Sequence, residues 1–108
     1  MARWLIFAMV LTGLGASQIL AQTAGDYVSG RRFVQQRCVG CHSLAPGSST
    51  VIAPSFPDIA RNREKTDEFW RNWLRRPHEP MPDFRLTEEE ISDIIAFLKS
   101  LEKSPADL

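Results

Sequence analysis

The sequence predicts an all-α domain, and three observations predict it. Apolar residues recur at helical spacing in several segments, polar capping residues stand at the starts of those segments, and proline-marked loops separate them. No stretch alternates apolar and polar residues as a half-buried strand would, and the sequence holds no internal repeat or low-complexity tract.

The first 21 residues stand apart from that domain. Arg3 precedes an unbroken apolar run of eight residues, Trp4 to Leu11, followed by small residues and Ile19-Leu20-Ala21 before Gln22. A basic start, a short apolar core and a small residue at the end read as a secretory signal peptide. Eight residues fall well below the ~20 needed to span a bilayer, and an uncleaved anchor is the alternative. Residues 1–21 are therefore expected to be a cleaved leader and residues 22–108 a single domain outside the cytoplasm.

Within that domain, Asp26 can cap a helix over Tyr27 to Arg37, with Tyr27, Phe33 and Val34 as its apolar members. Residues 43–57, with prolines at 46, 54 and 57, form a loop by composition. A short helix is expected from about Asp58 to Asn62. Thr66 caps a third, through Arg75, with Phe69, Trp70, Trp73 and Leu74 on one face and an end before Pro77. The last helix opens on a capping box in which the Thr87 hydroxyl accepts from the Glu90 amide and Glu90 reaches back. Ile91, Ile94, Ile95, Leu98 and Leu101 follow at helical spacing, and Pro105 follows the end. Three glutamates in its first turn suit the positive end of the helix dipole.

The whole chain carries 13 basic and 13 acidic side chains. Without the leader, which removes only Arg3, the balance is 12 against 13. Such a balance argues against nucleic acid as a partner and against a polybasic membrane patch. A domain this small has a thin core and needs a staple. A disulfide between the two cysteines, three residues apart, would close too short a loop to supply it.

The chemistry is concentrated in Cys38-Val39-Gly40-Cys41-His42. On a helical turn, positions i, i+3 and i+4 share one face, so two thiols and an imidazole project together. That is the arrangement c-type haem attachment needs: each thiol adds across one vinyl group, and the adjacent His42 ligates the iron. Chance produces the spacing in roughly one such sequence in two thousand. A zinc site using His78 is numerically possible but lacks the paired spacing of known fingers. A redox dithiol would need a βαβ context.

A second axial position then needs a ligand. Met1 and Met9 fall in the leader, which leaves Met81, in Pro77-His78-Glu79-Pro80-Met81-Pro82. Prolines on either side stiffen this strap and suit it to hold a weak thioether ligand. His78, three residues away, is the competing ligand, and a buried gap-filling methionine is the plain structural reading.

These residues resemble the class I cytochrome c family over nearly all of residues 26–102. Gly30, Phe33 and Val34 precede the cysteine motif as in that family, where the glycine lets the first and last helices cross closely. Ile94 and Phe97-Leu98 look like the partners of that crossing. The resemblance implies a cytochrome c-like fold, three main helices plus a short one packed around one covalently bound haem c. It also implies a hydrogen bond from His42 to the Pro54 carbonyl within Ala53-Pro54-Ser55, and a place for Trp70 near a haem propionate. The short loop between His42 and Pro54 lacks a lysine-rich stretch and looks like that of a small bacterial member.

The expected function is that of a periplasmic, mono-haem electron carrier, not an enzyme, since iron held through both faces leaves no open site for substrate. Redox proteins (an oxidase, a reductase or a dehydrogenase) are the expected partners of a monomer with no membrane span after cleavage. Two alternatives stay open: a haem subunit fixed on a larger complex, and a gas- or peroxide-reactive haem with a labile distal ligand. Residues 22–86 carry a net charge of +3 and residues 87–108 a net of −4, from ten basic against seven acidic and two against six. Arg31, Arg32, Arg37, Arg75, Arg76 and Arg85 could make a weak positive ring, although solvated helix faces explain them as well.

Overall fold

A computed structural model describes residues 24–76 and 78–103. The leader expected over residues 1–21, Pro77 and Pro105 lie outside them. Four helices follow one another: α1 (Tyr27–Arg37), α2 (Phe56–Ala60), α3 (Asp67–Arg75) and α4 (Glu88–Glu102). Among the described residues there is no strand, only one isolated bridge between His78 and Met81. The all-α expectation is met, with a cytochrome c-like arrangement.

Capping sets the helix starts. Asp26 accepts from the Val28 amide at 2.9 Å, and the Ser29 hydroxyl donates to its other oxygen at 3.1 Å. Thr66 accepts from Phe69 N at 3.1 Å. At α4 both halves of the capping box form: Glu90 N donates to the Thr87 hydroxyl at 3.1 Å and Thr87 N to the Glu90 carboxylate at 2.8 Å. Helix α2 starts two residues earlier than expected. Ser55 caps it, and Pro57 falls in the first turn, where a missing N–H costs nothing. Composition marks Pro57 as a breaker, whereas here it opens the helix.

Helix α4 is the spine: α1, α2 and α3 each pack on it. The core joins Val34 of α1, Phe56 and Ala60 of α2, and Ile94, Phe97 and Leu98 of α4. Helices α1 and α4 cross with backbones in contact. A Cβ at Gly30 would lie 1.9 Å from the Asp93 carbonyl oxygen and 3.0 Å from Ile94 N. Gly25, just ahead of the helix, is equally confined, 1.9 Å from the Ser92 carbonyl oxygen. Between them Asp26 N donates to the Asp93 carboxylate at 2.7 Å.

Helix α3 has no fully buried residue, and polar links hold it to α4. Arg75 meets the Glu88 carboxylate with two bonds of 2.7 Å, Arg71 reaches the Ser92 hydroxyl at 3.1 Å, and Lys99 pairs with Asp67 at 2.8 Å. Exposed pairs of this kind contribute little individually. Among the described residues no helix is long and apolar enough to cross a membrane.

The helix crossing is open to direct test. Gly30→Ala should lower the thermal midpoint of the haem-loaded protein. Overpacking costs about 1–3 kcal/mol, with little relief where the obstacle is backbone, and this exceeds the ~1 kcal/mol that Ala gains over Gly in a helix. An unchanged or raised midpoint would refute the contact. Acid should also weaken the fold. Backbone and Ser29 hydrogen bonds hold the Asp26 carboxyl below its usual range, and Arg75 does the same for Glu88. Their folded pKa values are depressed, so their stabilisation is complete above the unfolded carboxylate range and disappears as pH falls through the folded values. Thermal midpoints should hold from neutrality to about pH 5 and drop below about pH 4, less steeply in the double variant Asp26→Asn/Glu88→Gln.

Candidate functional site

The turn after α1 builds the first part of the site. Cys38 N and Val39 N both bond back to the Val34 carbonyl, at 2.9 and 3.2 Å, and His42 N bonds to the Cys38 carbonyl at 2.9 Å. The chain therefore keeps winding through the motif. Both cysteines are free thiols, Cys38 half-buried and Cys41 exposed. Before any attachment, burial pushes the Cys38 thiol up to about 11, so the unattached chain carries it protonated at neutral pH.

His42 is held by the loop ahead of α2. Its Nδ1 lies 2.7 Å from the Pro54 carbonyl oxygen. A carbonyl can only accept, so Nδ1 carries the proton and the Nε2 lone pair is left for a metal. The ring also packs edge-on to Phe56, centroids 5.6 Å apart. Phe56 N donates to the Ser43 carbonyl at 2.8 Å, fastening α2 to the residue that follows His42.

These side chains open on a cleft with almost wholly apolar walls. Cys38, His42 and Met81 line it together. Phe56, Ile59 and Trp70 form one part of the wall, and Ile94 and Leu98 of α4 another. Phe84 and Leu86, from the strap between α3 and α4, complete it with Met81. Sequence reasoning passed over those two, although their alternation after Pro82 is a signal it could have used. Trp73 lines the cleft as well as Trp70.

The strap is anchored at several points. Arg85 has a positive φ of 50° and its amide donates to Asp83 at 2.9 Å, which turns the chain back towards α4. The Arg37 guanidinium lies over both Phe33 and Phe84, 5.8 and 5.4 Å from the ring centroids, tying the strap to α1. Within the strap His78 is engaged elsewhere: its Nδ1 is 3.1 Å from the Arg76 carbonyl oxygen and its ring 4.1 Å from that of Trp73. It does not line the cleft. Among the described residues no three His, Cys, Asp or Glu side chains converge on a metal position, so the zinc alternative lacks its ligand set.

Of the six residues singled out in the sequence, Cys38, His42, Trp70 and Met81 line one cleft. Pro54 touches the site through its carbonyl, and Cys41 stays at the surface. Two free thiols, an imidazole with Nε2 available and apolar walls fit a haem held beside the motif.

Comparison with known proteins agrees with the geometry. The family model described as cytochrome c oxidase, cbb3-type, subunit III matches residues 25–98. The chain is 34% identical to cytochrome c-552 of Bradyrhizobium diazoefficiens over 88 residues, 80% of this chain and 85% of that protein. It is 29% identical to a cytochrome c-553-like protein of Synechocystis, across 79% of this chain and 77% of the relative. A subunit of the nitric oxide reductase of Stutzerimonas stutzeri is 32% identical over 57% of this chain and 48% of its own length. No solved structure matches. Matched along most of its length, the chain belongs to the cytochrome c family, as one of its small class I-like electron-transfer haem proteins.

Proposed function

We propose that this chain is a periplasmic carrier of single electrons, with one haem attached through Cys38 and Cys41 and its iron ligated by His42 and Met81. The observation that carries the reading is that His42 and Met81 line the same apolar cleft while His78 packs on Trp73 outside it. The haem, when bound, supplies a one-electron couple. The protein supplies the rest. His42 offers Nε2 because Pro54 fixes its proton on Nδ1, which also orients the ring and raises its basicity. Met81 brings a neutral, polarisable sulfur, which favours the reduced state relative to a second imidazole. Phe56, Ile59, Phe84 and Leu86 keep water from the cleft, and Trp70 brings an indole N–H that a haem propionate would accept. With both axial positions filled, no substrate site remains, and the partners are other redox proteins.

A second reading has a specific support. The matched family model and one relative are both named as subunits of larger enzymes, which favours a haem subunit seated on an oxidase or reductase. The exported protein separates them. Its intact mass should equal residues 22–108 plus one haem, in a freely diffusing monomer. A mass retaining residues 1–21, or co-purification with a membrane complex, would favour the fixed arrangement.

Ligation has its own test. The ferric protein should show the weak long-wavelength sulfur-to-iron band, and its ferrous form should not bind carbon monoxide. Met81→His should abolish the band and lower the potential, whereas His78→Ala should leave both nearly unchanged. A native protein without the band, combined with a His78→Ala variant that newly binds carbon monoxide, would replace Met81 with His78. A native ferrous protein that binds the gas would instead point to a reactive haem.

A further inference from the structure

The Pro54 carbonyl that accepts from His42 belongs to the Pro54–Ser55 peptide, and the other polar end of that peptide is held as well. Ser55 N donates to the Ser49 hydroxyl oxygen at 2.9 Å. The Ser49 hydroxyl in turn donates its proton to Asp58 Oδ2. A hydroxyl has one proton, and here the carboxylate takes it, so the Ser49 lone pairs face the Ser55 amide. The direction of the chain is therefore fixed: Asp58 carboxylate, Ser49 hydroxyl, Pro54–Ser55 peptide, His42 imidazole. A planar peptide couples its two ends, and successive hydrogen bonds polarise one another by about 10–30% each.

The surroundings keep this chain in place. Thr50 N donates to the Ala53 carbonyl at 2.9 Å, and Ala53 N donates back to the Thr50 hydroxyl at 3.0 Å. Ser55 is fully buried, and its hydroxyl accepts from Asp58 N at 3.3 Å. The Ser49 and Ser55 hydroxyls hold the Asp58 carboxyl below the usual range, so it is ionised at neutral pH. Its other oxygen, Oδ1, meets Arg61 at 3.1 Å, where the exposed guanidinium is screened by water.

We propose that Asp58 and Ser49 are positioning residues that polarise the Pro54–Ser55 peptide, strengthen the hydrogen bond from His42, and so lower the redox potential. The proposal rests on His42 being an iron ligand and adds how the protein sets the strength of that ligand. A more negative Pro54 oxygen draws the Nδ1 proton closer and makes Nε2 a better donor, which favours the oxidised state.

The experiment is redox titration of the haem-loaded protein with variants at both positions. Ser49→Ala breaks the chain and keeps the Asp58 charge. Asp58→Asn removes the charge and keeps an oxygen for Ser49, which also serves if Ser49→Ala loads haem poorly. Each should raise the ratio of reduced to oxidised protein at a fixed reference couple by roughly three- to tenfold, the scale of one hydrogen bond. The double variant should shift no further than the larger single one, and Ser49→Thr should restore the native value. In the ferrous protein, the His42 Nδ1 proton should exchange faster with water in Ser49→Ala. A native potential in Ser49→Ala overturns the proposal, and so do additive shifts, which would mean that Asp58 acts through space. Failure of the underlying reading looks different: His42 ring protons of the native ferrous protein would lack the upfield shift of a ligand lying over the macrocycle.

Discussion

The site depends on the contact of backbones where α1 crosses α4. Gly30 lies against the Asp93 and Ile94 main chain with no room for a Cβ, and Gly25 does the same against Ser92. A glycine inside a helix costs roughly 0.5–1 kcal/mol relative to Ala, yet here it is what permits the approach. That approach brings Val34 against Ile94, Phe97 and Leu98 in one core and fixes the direction in which α1 delivers Cys38 and His42. Leu98 and Ile94 then belong both to the core and to the cleft wall. The same contact therefore stabilises the fold and shapes the cleft.

From that crossing the two candidate axial ligands are supported in different ways. His42 sits on a continuation of α1 and is fixed by a hydrogen bond to Pro54, itself set by the start of α2. Met81 sits on a strap without a helix, anchored by Arg37 on Phe84, by the Asp83–Arg85 turn and by the packing of Leu86. One ligand is held by directional polar bonds and the other by packing and cation–π contacts. This division suits an imidazole, whose tautomer matters, and a thioether, which needs only to be placed.

Much of this was legible in the sequence because it is local. The capping residues Asp26, Thr66 and Thr87 each accept from an amide two or three residues ahead, so the starts of α1, α3 and α4 needed no tertiary information. Helix α2 was less legible. Its first residues include Pro57, which in isolation argues for a loop, and only the buried Ser55 cap and the packing of Phe56 make it a helix start. Phe84 and Leu86 alternate with polar residues in an irregular strap, which marks one apolar face but does not say what that face meets, so their place in the cleft came only from the fold.

The sequence by itself determined the all-α class, three of the four helix starts, and the Cys38–His42 motif, because capping and a five-residue attachment motif are written in neighbouring residues. The apolar, proline-braced setting of Met81 already favoured it over His78 as the candidate second ligand, and the tertiary structure adds that Met81 lines the cleft while His78 packs against Trp73. The tertiary structure alone also joined Ser49 and Asp58 to the peptide behind His42. Hydrogen bonds between a loop serine and a helix carboxylate have no periodicity and no fixed spacing, so they exist only once the backbone has brought the groups together.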